Sequence, residues 1–207
     1  MGLNVSSRGK AELIPADDHF GVVAGYADLG TQESPFGAKR KVRLFFDLPQ
    51  LRINYEGKDL PKRISNSYTL SIHKKAGLRA IIEAILRRPL TEDESTNFDL
   101  DIILGQTCVV EVTHEARKDG TGNYARLAGI RKRRQTDPTF PLEVEPIKYA
   151  LQAADGTIIE PPASLPPFII ADIKKSLEYV AAHGEPTPAP QQRPAPLPPL
   201  DDEEVPF

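Results

Sequence analysis

Basic and aromatic side chains at strand-like spacing are the groups most able to do chemistry in this 207-residue chain. Residues 37–63 carry eight Lys or Arg residues against three acids, and residues 115–134 carry seven against two. The net charge of the whole chain is −3, but four acids fall within residues 201–204. Two locally basic segments on a nearly neutral core are the pattern that backbone-phosphate binding needs, and scattered surface charge is the alternative.

Binding to unpaired nucleotides without sequence preference requires cations along the phosphates and aromatic rings that stack on bases. Phe45 is the first choice for stacking because it faces away from the apolar row of its strand, and Tyr55, Tyr124 and Phe36 are weaker choices. The predicted DNA-binding residues are Lys39, Arg40, Lys41, Arg43, Phe45, Tyr55, Lys62, Arg63, His73, Lys74, Lys75, Tyr124, Arg126, Arg131 and Lys132.

The acidic segment at residues 200–207 has the composition of a docking peptide. A partner pocket can bury the Phe207 ring while Lys or Arg side chains bind its carboxylate and the upstream acids. Pro206 restricts the backbone and lowers the cost of ordering it. A solubilising acidic tail is the alternative, but it leaves the apolar end unexplained. The predicted partner-binding residues are Asp201, Asp202, Glu203, Glu204, Val205, Pro206 and Phe207.

The elements that must position these residues follow from the apolar spacing. Period-two alternation predicts strands beginning at His19 and at Lys41–Leu48, Tyr68–His73, Cys108–His114 and Tyr124–Ile130. Helical spacing predicts a helix over residues 75–87, and Thr91 with Glu94 predicts a capping box for a short second helix. We therefore expect a mainly β, α+β fold resembling the OB-fold, a five-stranded barrel with added helices. A generic five-stranded α+β domain is the alternative.

Composition divides the chain into five predicted segments. A flexible arm spans residues 1–18, and the core spans 19–134. An extension over 135–184 contains a hairpin near 147–159 and an amphipathic helix over 168–183. Residues 185–199 are rich in Pro, Ala and Gln and predict a disordered, semi-stiff linker of about 45 Å. The acidic tail occupies residues 200–207.

Several function classes are disfavoured. No apolar run approaches the ~18–20 residues of a membrane-spanning helix, and a secretory signal is absent, so we expect no membrane partner and a cytoplasmic location. The four His residues lack metal-ligand spacing, and the lone Cys108 on an apolar strand is typical of core packing. We expect no metal, no cofactor and no enzymatic activity.

The tail at Asp201–Phe207, with its Pro-rich linker, resembles that of bacterial single-stranded DNA-binding proteins. The core resembles a group of bacteriophage proteins of the same kind over roughly residues 20–130. The residues that carry this resemblance lie at 28–32, 41–49, 68–75, 98–100, 104–108, 112–114 and 124–125, and the helix at 168–179 is also similar. The resemblance implies coating of single strands during replication, recombination and repair, and recruitment of nuclease, helicase, primase or polymerase subunits through the tail.

Three points stay open at the level of sequence. A mediator that anneals two single strands shares the same binding chemistry. An interaction adaptor without DNA binding would use Arg193–Pro199, which fits a ligand of Pro-reading domains. The helix near residues 168–183 can pack on the core or form a contact in a homodimer.

Overall fold

A computed structural model describes residues 12–184, except for residues 36, 56 and 118. Most of the N-terminal arm, Phe36, the linker at 185–199 and the tail at 200–207 therefore lie outside the described residues. The described strands are β1 (Asp18–Gln32), β2 (Lys39–Tyr55), β3 (Lys58–Thr69), β4 (Thr107–Ala116), β5 (Asn123–Arg131) and β6 (Ile147–Tyr149). The described helices are α1 (Gly77–Leu86), α2 (Glu92–Thr96), α3 (Pro167–Lys174) and α4 (Leu177–His183), with a 3-10 turn at Leu100–Ile103.

The strands form one open, largely antiparallel sheet in the order β3-β2-β1-β4-β5. β1 pairs with β4 through Asp18–Val22 and then with β6, in parallel, through Gly25–Ala27. This second pairing requires a glycine, since a Cβ on Gly25 would lie 2.2 Å from the carbonyl oxygen of Ile147. The expectation of a mainly β, α+β protein is confirmed within the described chain.

One face of the sheet carries the first hydrophobic core. The predicted apolar row of β2 lies in it, with Val42, Leu44, Phe46 and Leu48 each at most 1% exposed. The predicted helix forms as α1 and buries its apolar stripe against the same core. Each such side chain contributes about 1.5–3 kcal/mol on leaving water, so this core sets the register of β2.

The opposite face of β1 and β2 carries a second core. Ala24, Ala27 and Phe45 of the sheet pack there with Ile169 and Ile173 of α3. Polar bonds fix the same packing, since the Glu178 carboxylate accepts hydrogen bonds from the Thr31 backbone N–H at 2.7 Å and from its hydroxyl at 2.6 Å. The segment predicted as an extension is therefore packed on the sheet in this chain.

The boundaries of β2 and β3 differ from the sequence prediction. β2 continues to Tyr55, and β3 runs over Lys58–Thr69 instead of Tyr68–His73. The two strands form one long hairpin in which a register shift between Leu48 and Arg52 accommodates Pro49, whose missing N–H weakens regular pairing. The prediction failed because β3 is mostly polar and half-buried, with Pro61 and Ile64 its only buried residues, and so lacks apolar alternation.

The helix predicted over 168–183 is two short helices. The Ser176 side chain accepts a hydrogen bond from the Tyr179 backbone N–H and caps α4, so the chain ends α3 and restarts. The predicted capping box of α2 is confirmed, with Thr91 and Glu94 bonding reciprocally. The predicted hairpin near 147–159 forms as one bridge between Gln152 and Ile158 flanked by two backbone hydrogen bonds, while β6 pairs with β1 instead.

Over the described ranges, no helix is both long enough and apolar enough to cross a bilayer.

Candidate nucleic-acid interface

Cations predicted from two separate segments meet at the end of the β2–β3 pair. Lys41 stands opposite Thr69 in the register, and the Arg40 carbonyl accepts a hydrogen bond from the Leu70 backbone N–H at 2.8 Å. The exposed residues His73–Lys75 follow a few residues later. The structure therefore places Lys39–Lys41 and His73–Lys75 at one end of the sheet, as a single basic cluster.

The cations of this cluster differ in whether an acidic side chain already pairs with them. The Arg40 guanidinium pairs with the Asp28 carboxylate at 2.5 Å, and this hydrogen bond raises the pKa of Arg40. No acidic group among the described residues lies within 4 Å of the ammonium groups of Lys39, Lys41, Lys74 and Lys75. Those four lysines are therefore the members best able to contact a phosphate.

An arginine and an aromatic ring form the centre of the candidate interface. The Arg43 guanidinium lies 4.8 Å from the centroid of the Phe168 ring, within the range of a cation–π contact. Its Nε donates to the Ser65 hydroxyl at 2.9 Å and its Nη1 to the Ser67 hydroxyl at 3.2 Å. Burial lowers the pKa of Arg43. This arginine is held on three sides rather than free to move.

Strand pairing explains why these groups meet. Arg43 faces Ser67 directly across the β2–β3 ladder, and Ser65 stands two residues away on the same face. Phe168 reaches them from the first turn of α3, after Pro166 and Pro167 have begun that helix. We call the surface made by Lys41, Arg43, Ser65, Ser67 and Phe168 the β2–β3 face.

The ring of Phe168 is the feature that sequence reasoning missed. As an apolar residue of the amphipathic helix predicted over 168–183, it was expected to be buried, but the side chain is 52% exposed. One side of the ring contacts Arg43, and the exposed remainder is available to a flat ligand. The two serines were also missed, although Ser65 and Ser67 alternate in the sequence at strand spacing.

A second aromatic group lies farther along the same hairpin. Tyr55 is 60% exposed and lines an open cavity of about 270 Å³ with Ile53, Leu60 and Val144. Arg63 also borders this cavity, but its guanidinium makes two hydrogen bonds to the buried Asp47 carboxylate, at 2.6 and 3.0 Å. Tyr55 therefore remains a stacking candidate, whereas Arg63 is committed to an ion pair.

Phe45 requires a correction. It was the preferred stacking residue, but it is 2% exposed and belongs to the second core beneath α3. The prediction that Phe45 faces away from the apolar row was right. That opposite face is itself covered, so no base can reach the ring in this structure.

The remaining predicted residues lie away from the β2–β3 face, and all of them except Lys132 contact an acidic side chain. Lys62 contacts Glu12 at 3.4 Å, with a side chain only 12% exposed. In the β4–β5 hairpin, Arg126 pairs with Glu115, and the Tyr124 hydroxyl donates to the same carboxylate at 2.7 Å. These contacts raise the pKa of Arg126 and lower that of Glu115.

At the end of β5, Arg131 pairs with Asp18, while no acid within the described residues lies within 4 Å of the Lys132 ammonium. This end of the sheet is distant from the basic cluster. Asp18 and Gly30, which faces Lys41, are 12 residues apart on β1, or about 40 Å along an extended strand. The fifteen predicted residues therefore do not form one continuous surface.

In the described part of the chain, His, Cys, Asp and Glu side chains form no group of three that could hold a metal ion. Comparison of this chain with protein-family models, with curated proteins and with solved structures found no match.

Proposed function

We propose that this protein binds single-stranded DNA without sequence preference, with the β2–β3 face as its contact surface. The observation that carries the proposal is the exposed Phe168 ring beside Arg43, at the edge of a cluster of unpaired lysines. These are the two components of a nonspecific single-strand site, a stacking platform and a cationic track.

The strand connections support an OB-type barrel as the finer description of the fold. β1, β2 and β3 follow one another as antiparallel neighbours, and β4 and β5 extend the other side of β1. α1 lies between β3 and β4 in the chain. The two outer strands approach each other, since the Asn66 amide donates to the Leu127 carbonyl at 3.4 Å. OB-folds use their second and third strands to bind oligonucleotides, which is where the β2–β3 face lies.

Phosphates would lie along Lys39, Lys41, Lys74 and Lys75. Their ammonium groups lack a competing carboxylate among the described residues, so neutralising a phosphate breaks no internal ion pair. Release of condensed counterions then makes the affinity fall with salt, with a slope of about −0.7 for each phosphate neutralised on a single strand.

One base would stack on the exposed side of Phe168, and a second on Tyr55. A base inside a duplex has both faces covered by its neighbours, so only an unpaired base offers a free face to these rings. This requirement is the physical reason to expect a preference for single strands. The Ser65 and Ser67 hydroxyls, held against Arg43, supply polar groups without sequence discrimination.

The proposal is tested by fluorescence anisotropy with a labelled 20-mer of thymidine and a duplex of equal length, each at two salt concentrations. We expect the single strand to bind more tightly than the duplex and to lose affinity as salt rises. In the variant Lys41→Ala the salt slope should fall by about 0.7. Arg117→Ala is the matched control, because Arg117 is exposed just after β4, beyond the Asp18 end of β1 and therefore far from the basic cluster. Equal affinity for duplex and single strand would refute the proposal.

We further propose that the segment Asp201–Phe207 recruits replication or repair proteins. The support is its sequence alone, four carboxylates followed by an apolar Val-Pro-Phe, because these residues lie outside the described part of the chain. The test is the binding of a synthetic peptide of residues 200–207 to a nuclease, helicase, primase or polymerase subunit. A Phe207→Ala peptide should bind at least about tenfold more weakly, because a buried ring contributes about 1.5–3 kcal/mol. Equal binding by the two peptides would remove the proposed role of the ring.

A further inference from the structure

A second basic site lies where β5 ends. Arg131, Lys132, Arg133 and Arg134 line one side of a cavity of about 590 Å³, and Phe20 and Val109 form its apolar part. Small-molecule sites in proteins have volumes of about 300–1,000 Å³, so this cavity has room for a ligand of ordinary size. We call it the β5 cavity.

The walls of the β5 cavity are fixed by bonds on two sides. After β5 the chain turns back, with the Arg134 backbone N–H donating to the Asp137 carboxylate at 2.6 Å and the Arg133 guanidinium to the Asp137 carbonyl at 2.8 Å. Phe140 then lies with its ring centroid 5.8 Å from that of Phe20. Its backbone N–H donates to the Thr107 hydroxyl at 3.0 Å. The cavity is thus a built feature of the fold rather than a gap beside a loose segment.

The charge of the cavity favours an anion. Four cations face two carboxylates, Asp18 and Asp137, which leaves two positive charges in excess. Arg131 is paired with Asp18, and Arg133 is bonded to backbone carbonyls. Lys132 and Arg134 have side chains with no acidic partner within 4 Å in the described ranges, so their charges remain available to a ligand.

We propose that the β5 cavity binds a single nucleotide, with its base against Phe20 and its phosphate between Lys132 and Arg134. The cavity combines an aromatic ring with unpaired cations, and a nucleotide combines a flat base with a phosphate. Two sources share this chemistry, a free nucleotide and the terminal nucleotide of a DNA strand. The inference goes beyond the proposed function, because this site does not use the β2–β3 face. The segment that follows the cavity contacts Phe20 through Phe140 and the β2–β3 hairpin through the Glu143–Arg52 ion pair, outside the β2–β3 face.

The experiment is calorimetric titration of the full chain with thymidine 5′-monophosphate, 2-deoxyribose 5-phosphate and inorganic phosphate. The nucleotide should bind most tightly, because it alone of the three ligands carries both a base for Phe20 and a phosphate for Lys132 and Arg134. The variant Lys132→Ala/Arg134→Ala should weaken nucleotide binding by about tenfold or more, because each charge-assisted bond contributes a factor of that order. Lys58→Ala/Lys175→Ala removes the same charge from exposed positions outside the cavity and should leave nucleotide binding within about twofold.

Two results would overturn the proposal. Equal affinity for the nucleotide and for inorganic phosphate would mean an adventitious anion only, and equal losses in the two double variants would mean a general effect of charge.

A thymidine pentamer carrying a 5′-phosphate, a 3′-phosphate or neither distinguishes the two sources of the ligand, a strand end and a free nucleotide. Tighter binding of a phosphorylated pentamer, abolished by Lys132→Ala/Arg134→Ala, assigns the strand end. If the mononucleotide binds but the pentamers bind equally with and without an end phosphate, the ligand of the cavity is a free nucleotide. Because the mononucleotide is measured directly, failure of the β2–β3 face to bind long strands would leave this outcome unaffected.

Discussion

Truncating Phe168 to alanine is the sharpest perturbation of the proposed interface. The ring is 52% exposed, stands at the first turn of α3 and contacts Arg43 at 4.8 Å. Its neighbour Ile169 is fully buried in the second core and is unchanged by the substitution. The loss is therefore expected in DNA binding rather than in folding.

The structure bounds the magnitude. Alanine substitution of a stacking aromatic costs about 1–3 kcal/mol per base. One side of the Phe168 ring is occupied by the Arg43 guanidinium, so a single base can stack on it. We take the lower part of the range, about 1–2 kcal/mol, which corresponds to a weakening of about 5- to 30-fold.

The assay is anisotropy with the labelled thymidine 20-mer over a series of salt concentrations. Phe168→Ala should lower the affinity at every salt concentration and leave the slope of log K against log salt unchanged, because no charge is removed. Leu177→Ala is the matched control, since Leu177 is a comparably exposed apolar residue, 42% exposed, on α4. Affinity within twofold of the unmodified protein, or an equal loss in the control, would refute the role of this ring.

Three further predictions concern the supporting structure. Arg63→Met leaves the Asp47 carboxylate, whose side chain is 3% exposed, without its cation. The free energy of unfolding measured in urea titrations should fall by about 2–3 kcal/mol, which is less than for a fully buried pair because the Arg63 side chain is 29% exposed. Adding Asp47→Ala should recover part of that loss; no recovery would contradict the ion-pair explanation. Burial raises the pKa of Cys108 to about 12, so a thiol reagent at pH 8 should label the native protein far more slowly than the urea-unfolded chain, and equal rates would show that the thiol is accessible. Hydrogen bonds from the Arg88 guanidinium and then from the Thr91 backbone lower the pKa of Glu94 from 4.5 to about 2. The contribution of the Glu94 carboxylate to stability is therefore present above pH 4.5 and lost as the pH falls towards 2. NMR titration of the Glu94 carboxyl should show this low midpoint, and Arg88→Ala should raise the midpoint.

Residue spacing alone predicted much of the local structure. The apolar alternation of Val42–Leu48, the helical spacing around Leu78 and Ile82, and the Thr91–Glu94 capping box depend on interactions within a few residues, so each can be inferred from its own segment. The limits of β3 could not be inferred in this way, because they depend on which residues pair across the long hairpin with β2.

The composition of the candidate interface was only partly accessible. The sequence identified the basic segments and correctly placed Phe45 on the face opposite to the apolar row of β2. It did not reveal that α3 covers this face, and so it assigned the stacking role to a buried ring instead of to Phe168.

The sequence by itself determined the mainly β character, the distribution of charge and the chemistry of the acidic tail. Only the tertiary structure decided which cations stay free and which are bound to carboxylates such as Asp28, Asp18 and Glu115. The physical reason is that strand alternation fixes which face a side chain takes, whereas burial and ion pairing depend on segments that are distant in the chain and meet only in the folded sheet.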